Sequence, residues 1–185
     1  MIISCIEDCS RHNIPTAVVH LTRFRYNADL TELGINRIGK IIETAERNNI
    51  KLAFENLAYL EHLNAVFEHF SSPYAGFCYD SGHENIVKHY LKNPEYDCLA
   101  LYGDKLFALH INDNYGDGDT HTIPFNGTID WGNRIRTLKQ CKDVDYFTLE
   151  LTFDREHEKC KIYNDMSAEE FLNIAHKEAL KLLNL

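Results

Sequence analysis

Five short apolar runs in this 185-residue chain each end on a side chain that can bind a metal ion or move a proton. They are Thr16-Ala-Val-Val-His20, Lys51-Leu-Ala-Phe-Glu55, Gly76-Phe-Cys-Tyr-Asp80, Leu106-Phe-Ala-Leu-His110 and Tyr146-Phe-Thr-Leu-Glu150. Asp and Glu number 28 and His 10 in the whole chain. That is about one residue in five, so five such endings by chance would be rare, roughly one in 3,000 before allowing for the choice of endpoints. Taken singly, each has a blander reading, because a strand-end carboxylate caps a following helix and a lone His sits satisfied in a core. Taken together they are a ligand set. A mixed Asp, Glu and His shell suits a divalent ion such as Mn, Zn, Mg or Co.

For residues 25 to 40 positions apart to meet, the runs must be parallel strands whose C-terminal ends share one face. The intervening sequence supports this. Leu30, Ile35, Ile38, Ile41, Ile42 and Ala45 recur at helical spacing over 30–48, with Asp29 and Glu32 placed as a capping pair. Further helices are expected at about Ile2 to His12, at 59–70, and from the capping box Ser167-Ala-Glu-Glu170 to Leu183. Near-continuous apolar strands alternating with helices predict an α/β fold in which helices cover a parallel sheet. Residues 1–185 read as a single partial domain. One stretch breaks the rhythm: Asp113 to Thr128 holds Gly116, Gly118, Gly127 and Pro124 and has neither period, as a functional or disordered loop would. Beyond it, Asp130 is placed to cap a helix, with Trp131 packing there or lining a pocket.

Composition narrows the partners. A formal charge of −9 offers no basic field, which argues against nucleic acid as a partner. No apolar run approaches the roughly 18–20 residues that span a bilayer, so no membrane association is expected. The six cysteines form no CxxC pair and follow no signal-like segment, which reads as reduced thiols in a cytoplasmic protein.

The segments Phe54-Glu-Asn-Leu57, Tyr79-Asp-Ser-Gly-His83, Leu109-His-Ile-Asn-Asp-Asn114 and Gly127-Thr-Ile-Asp-Trp131 resemble the xylose isomerase-like TIM barrel superfamily, which includes sugar epimerases and endonuclease IV. The resemblance implies a (β/α)8 TIM barrel. Similarity to the ketose 3-epimerase branch implies one divalent ion held by Glu55, Asp80, His110 and Glu150. There Glu55 and Glu150 would be catalytic, moving a proton next to a sugar carbonyl, while His83, Asn56 and Trp131 would contact the sugar. An arginine that the epimerases place after the His110 strand has no counterpart in Tyr115-Gly-Asp-Gly-Asp119. Similarity to endonuclease IV implies instead a three-zinc phosphodiesterase, with His20, His83, Asp119 and His121 as additional metal ligands.

The helix before the His20 strand makes these strands the fourth to eighth of a full barrel, so the chain reads as an N-terminally truncated barrel of about five βα units. Open sheet edges and an exposed apolar interior would follow. The expectation is a fragment, a truncated gene product, or a chain completed by a partner, a homo-oligomer included. A sugar isomerase or epimerase leads the functional expectations, ahead of the phosphodiesterase and of an inactive, incomplete barrel.

Overall fold

The computed structural model describes residues 1–26, 29–142, 144–152 and 158–185. Five strands, β1 (Thr16–Val19), β2 (Lys51–Glu55), β3 (Ala75–Asp80), β4 (Leu106–Ile111) and β5 (Thr148–Leu149), lie in chain order in one sheet. Every neighbouring pair is parallel. The parallel sheet is the one the alternating pattern predicted, and the architecture is the partial TIM barrel that the family resemblance implied. The helices are α1 (Ile2–Arg11), α2 (Glu32–Asn48), α3 (Glu61–His69), α4 (Ser81–His89), α5 (Cys98–Tyr102), α6 (Trp131–Leu138) and α7 (Ala168–Leu183). Among the described residues, no helix is long and apolar enough to cross a membrane.

Alternation along each strand sorts the side chains onto two faces. Leu52 and Phe54, Phe77 and Tyr79, and Leu109 and Ile111 join Ile38, Ile42 and Ala45 of α2 in the main core. The intervening residues Ala53, Cys78 and Ala108 form a separate buried cluster on the opposite face. Two residues further along each strand, on that same inner face, stand Glu55, Asp80 and His110. Small side chains thus floor the site, and polar ones crown it.

Two expectations need correction. The second helix is opened by Thr31, whose hydroxyl accepts from Gly34 N at 3.1 Å, and not by Asp29. Thr31 directly precedes the first helical residue in extended backbone, and one cap suffices. The last strand is also shorter than Tyr146–Glu150, since only Thr148 and Leu149 pair, with His110 and Ile111. At a sheet edge it has one neighbour, and Tyr146 lies exposed. The capping box of α7 and the Asp130 cap of α6 are present as expected.

Candidate metal centre

Parallel register carries Glu55, Asp80, His110 and Glu150 to one place. Asp80 pairs with His110 across β3 and β4, and Glu150 continues the β5 ladder by donating its N–H to Ile111 O at 3.1 Å. One ligand atom from each of the four lies within 4.8 Å of those of the other three. His110 Nδ1 stands at the centre, 3.1 Å from Glu55 Oε2 and 2.9 Å from Glu150 Oε2.

The strand ends are stapled together by their neighbours in sequence. Asn56 donates its amide to Asp80 O at 3.0 Å and accepts from Asp80 N at 2.7 Å, tying β2 to β3. Ser81 Oγ donates to Asn112 O at 2.7 Å and accepts from Asn112 N at 3.1 Å, tying β3 to β4. Asn112 also donates to Asp80 Oδ2 at 2.9 Å. A Cβ at position 82 would lie 2.0 Å from Asn112 Oδ1, so glycine is what lets that amide in. Asp80 therefore has two jobs: its Oδ1 caps α4 by accepting from His83 N at 2.6 Å, while its carboxylate faces the cluster.

Of the four additional candidates, His83, Asp119 and His121 stand in series and His20 stands beside Glu55. His20, half exposed, places Nε2 3.1 Å from Glu55 Oε2. His83 is buried; its Nδ1 lies 2.9 Å from Asn56 O and its Nε2 3.4 Å from Asp119 Oδ2. His121 Nδ1 lies 3.0 Å from Glu150 O, and its Nε2 3.3 Å from Asp119 Oδ1. With each Nδ1–H given to a carbonyl, both rings turn Nε2 toward Asp119.

The loop carrying Asp119 and His121 is folded around one carboxylate, that of Asp113. It accepts from Asn114 N at 2.9 Å, Phe125 N at 3.0 Å, Ile129 N at 3.2 Å and Trp131 Nε1 at 2.8 Å. A Cβ on Gly127 would lie 2.1 Å from Asp113 Oδ1. From outside, Tyr163 OH accepts from Ile123 N at 3.1 Å and Asn126 Nδ2 at 2.9 Å. His121 is held at φ 44°, a left-handed conformation that bulky residues adopt only when their surroundings fix them. Asp113→Ala strands four donors together. We expect it to lower unfolding free energy by about 3 kcal/mol or more, read from urea denaturation.

Charge and burial show what the site can hold. Burial pushes the Asp80 carboxyl up to about 6. Burial, the largest influence on Glu55, would raise it too, but His110, His20 and His83 outweigh it and hold the carboxyl far below the usual range. His110 is the reverse case: burial pulls it down, and the carboxylates of Glu150 and Glu55 push it up to about 10. Imidazolium protons thus balance the carboxylates. Even so, Glu55 Oε1, His110 Nδ1 and Glu150 Oε2 are buried without a hydrogen-bond partner; the 2.9 Å approach of the last two lacks the direction of a bond. Buried donors and acceptors left unmatched around one point fit a divalent ion.

An ion requires neutral imidazole and ionised carboxylate. Because His110 holds its proton up to about 10 and Asp80 up to about 6, ion uptake at neutral pH should release protons. Apparent affinity should climb with pH through that whole interval. Calorimetric titration in two buffers of different ionisation enthalpy measures the release.

Two residues expected to contact a sugar are occupied otherwise. Asn56 is fully buried with its amide spent on the Asp80 backbone, and Trp131 is buried with its indole N–H on Asp113. Both brace neighbouring site residues through these bonds. Sequence reasoning missed Asp113, Asn112 and Cys78. Cys78 is buried opposite Glu55 in register, its Sγ within 4.8 Å of ligand atoms of Glu55 and His110.

Comparison with known proteins places these observations. An 89-residue stretch, 45% of this chain, is 37% identical to the uncharacterized protein y4fM of Sinorhizobium fredii (strain NBRC 101917 / NGR234) and spans 27% of that relative. Among solved structures, a D-tagatose 3-epimerase-like protein superposes with a TM-score of 0.63 at 21% identity, over 96% of this chain and 69% of its own. The TTHB071 protein from Thermus thermophilus, soaked with ZnCl2, gives 0.62 at 20% identity, over 97% of this chain and 67% of its own. A xylose isomerase domain protein from Planctomyces limnophilus gives 0.68 at 12% identity, over all of this chain and 66% of its own. At such identities the likeness is one of fold. The profile of the xylose isomerase-like TIM barrel family, however, matches residues 1–176, and the chain belongs to that family.

Proposed function

We propose that the site serves a divalent-metal-dependent isomerase or epimerase of a sugar or sugar phosphate. One observation carries the reading: Glu55 and Glu150 approach the same nitrogen, His110 Nδ1, at 3.1 and 2.9 Å. Two carboxylates therefore flank a single point. Glu55 is buried, whereas the Glu150 side chain is 41% exposed, so a substrate would reach Glu150 first. Glu55 and Glu150 are both held below the usual carboxylate range, so both are ionised and able to accept a proton at neutral pH. One would take the proton from the carbon beside a carbonyl as the C–H electrons move toward the carbonyl oxygen. Its opposite number would return a proton to that carbon. An ion held by Glu55, Asp80, His110 and Glu150 would supply positive charge for the oxygen on which negative charge develops.

The small-molecule reading also fits the acidic chain, which would repel a polyanion. The test is incubation with a panel of ketoses, aldoses and their phosphates in D2O with Mn2+, Co2+ or Zn2+. Deuterium at the carbon next to the carbonyl is the expected result. No uptake from any sugar by the ion-loaded protein would count against the proposal.

A second reading has its own observation, since Asp119 stands between His83 Nε2 and His121 Nε2 at 3.4 and 3.3 Å. An endonuclease IV-like phosphodiesterase would place further ions there. Both ligand groups found among the described residues share Glu55 and His110, which favours a single centre. Metal analysis returning three ions per chain, with cleavage of an abasic duplex, would reverse the preference.

A further inference from the structure

The inner floor of the half-barrel holds a side chain that the four-ligand account does not use. Cys78 Sγ, a carboxylate oxygen of Glu55 and a ring nitrogen of His110 all lie within 4.8 Å of one another. Ligands of a tetrahedral zinc ion stand roughly 3.4 Å apart, so small side-chain rotations bring the three onto one ion. Cys78 itself is fully buried, two residues before Asp80 on the same strand face and opposite Glu55 in the β2–β3 register. The carboxylate that this group shares with the four-residue set also has unused capacity. The Glu55 side chain is 2% exposed, and its Oε1 is buried without a hydrogen-bond partner. His83 Nδ1 lies 3.2 Å from that oxygen but is turned to Asn56 O at 2.9 Å.

We propose that Cys78 is a further ligand of the metal centre and sets its preference toward thiophilic divalent ions. This rests on reading the strand ends as a metal centre. The site then has two faces sharing Glu55 and His110: an oxygen face made by Asp80 and Glu150, and a sulfur floor made by Cys78. Hard ions such as Mg2+ and Mn2+ gain little from sulfur, whereas Zn2+, Co2+ and Cd2+ gain much. Coordination replaces the S–H bond by a sulfur–metal bond made with the sulfur electron pair, and the proton leaves to solvent; nothing is oxidised or reduced. Ala53 and Ala108, the other members of the floor, carry no such group, so the sulfur contribution comes from this one position.

Cobalt substitution of the full chain provides the test, because the spectrum reports sulfur ligation without any substrate. The expected result is a set of visible d–d bands accompanied by an intense near-ultraviolet sulfur-to-cobalt charge-transfer band, both saturating together. The charge-transfer band should vanish in Cys78→Ser and Cys78→Ala and persist in Cys5→Ser, which removes an exposed thiol. Competition should show Cd2+ losing on the order of tenfold or more against Mn2+ in Cys78→Ser, at least the loss that follows removal of an outer-shell partner. Visible bands without charge transfer in the unaltered protein would overturn the Cys78 assignment and leave the four-residue centre standing. No cobalt bands at all would remove both. If neither Cys78 variant folds, zinc X-ray absorption of the unaltered protein still decides: one sulfur at about 2.3 Å supports the assignment, and a shell of only oxygen and nitrogen refutes it.

Discussion

In His110→Ala, affinity for Mn2+ or Zn2+ should fall at least about a hundredfold, beyond the cost of deleting an outer-shell partner. His110 Nδ1 lies close to both glutamates, at 3.1 and 2.9 Å. Removing it deletes a nitrogen ligand and leaves Glu55 and Glu150 to repel one another across the gap. Folding should survive, because the ring's ion-pair partners among the described residues are those two carboxylates, and its neighbours Leu109 and Ile111 keep their places in the core. Titration calorimetry gives the affinity, and thermal unfolding of the metal-free protein checks the fold. A variant that binds the ion as tightly as the parent would show that these strand ends are a network of ion pairs and nothing more.

The second large effect is on chemistry. Glu150→Gln should reduce hydrogen exchange at the substrate carbon by about three orders of magnitude, the scale on which a positioned base contributes. Glutamine keeps the shape and an oxygen but cannot accept a proton. Glu150 is more exposed than Glu55, so the substitution should leave stability nearly unchanged and weaken ion binding less than His110→Ala does. The pair of measurements separates roles: exchange lost with the ion retained marks a base, while exchange lost only as the ion is lost marks a ligand. Exchange continuing at the parental rate in Glu150→Gln would exclude this residue as the base.

The strand ends were legible because a parallel sheet converts a linear pattern into a point. The three inner runs are long enough to be buried, and the residue ending each lands on the same face as the others. Asp80 also shows why a single residue would mislead: its bland reading, a helix cap, is true as well. What escaped the sequence depends on register and on contacts across long separations. Cys78 becomes a neighbour of Glu55 only once β2 and β3 are paired, although strand alternation already puts it on the face of Asp80. Asp113 carries no sign that four donors from as far as Trp131 will converge on it. Asn56 and Trp131 sit in motifs that the family resemblance attached to substrate, yet their polar atoms are spent on Asp80 and Asp113. The loop after β4 has no period to read because its order comes from the buried Asp113 carboxylate, the Tyr163 hydroxyl and a single Asp113–Thr122 bridge, and not from an extended ladder.

Anomalous diffraction from crystals of the chain loaded with Mn2+ or Zn2+ tests the centre most directly. A single strong peak should lie within about 2.0–2.3 Å of ligand atoms from Glu55, Asp80, His110 and Glu150. No peak among those four side chains, or one confined to Asp119 and His121, would contradict it.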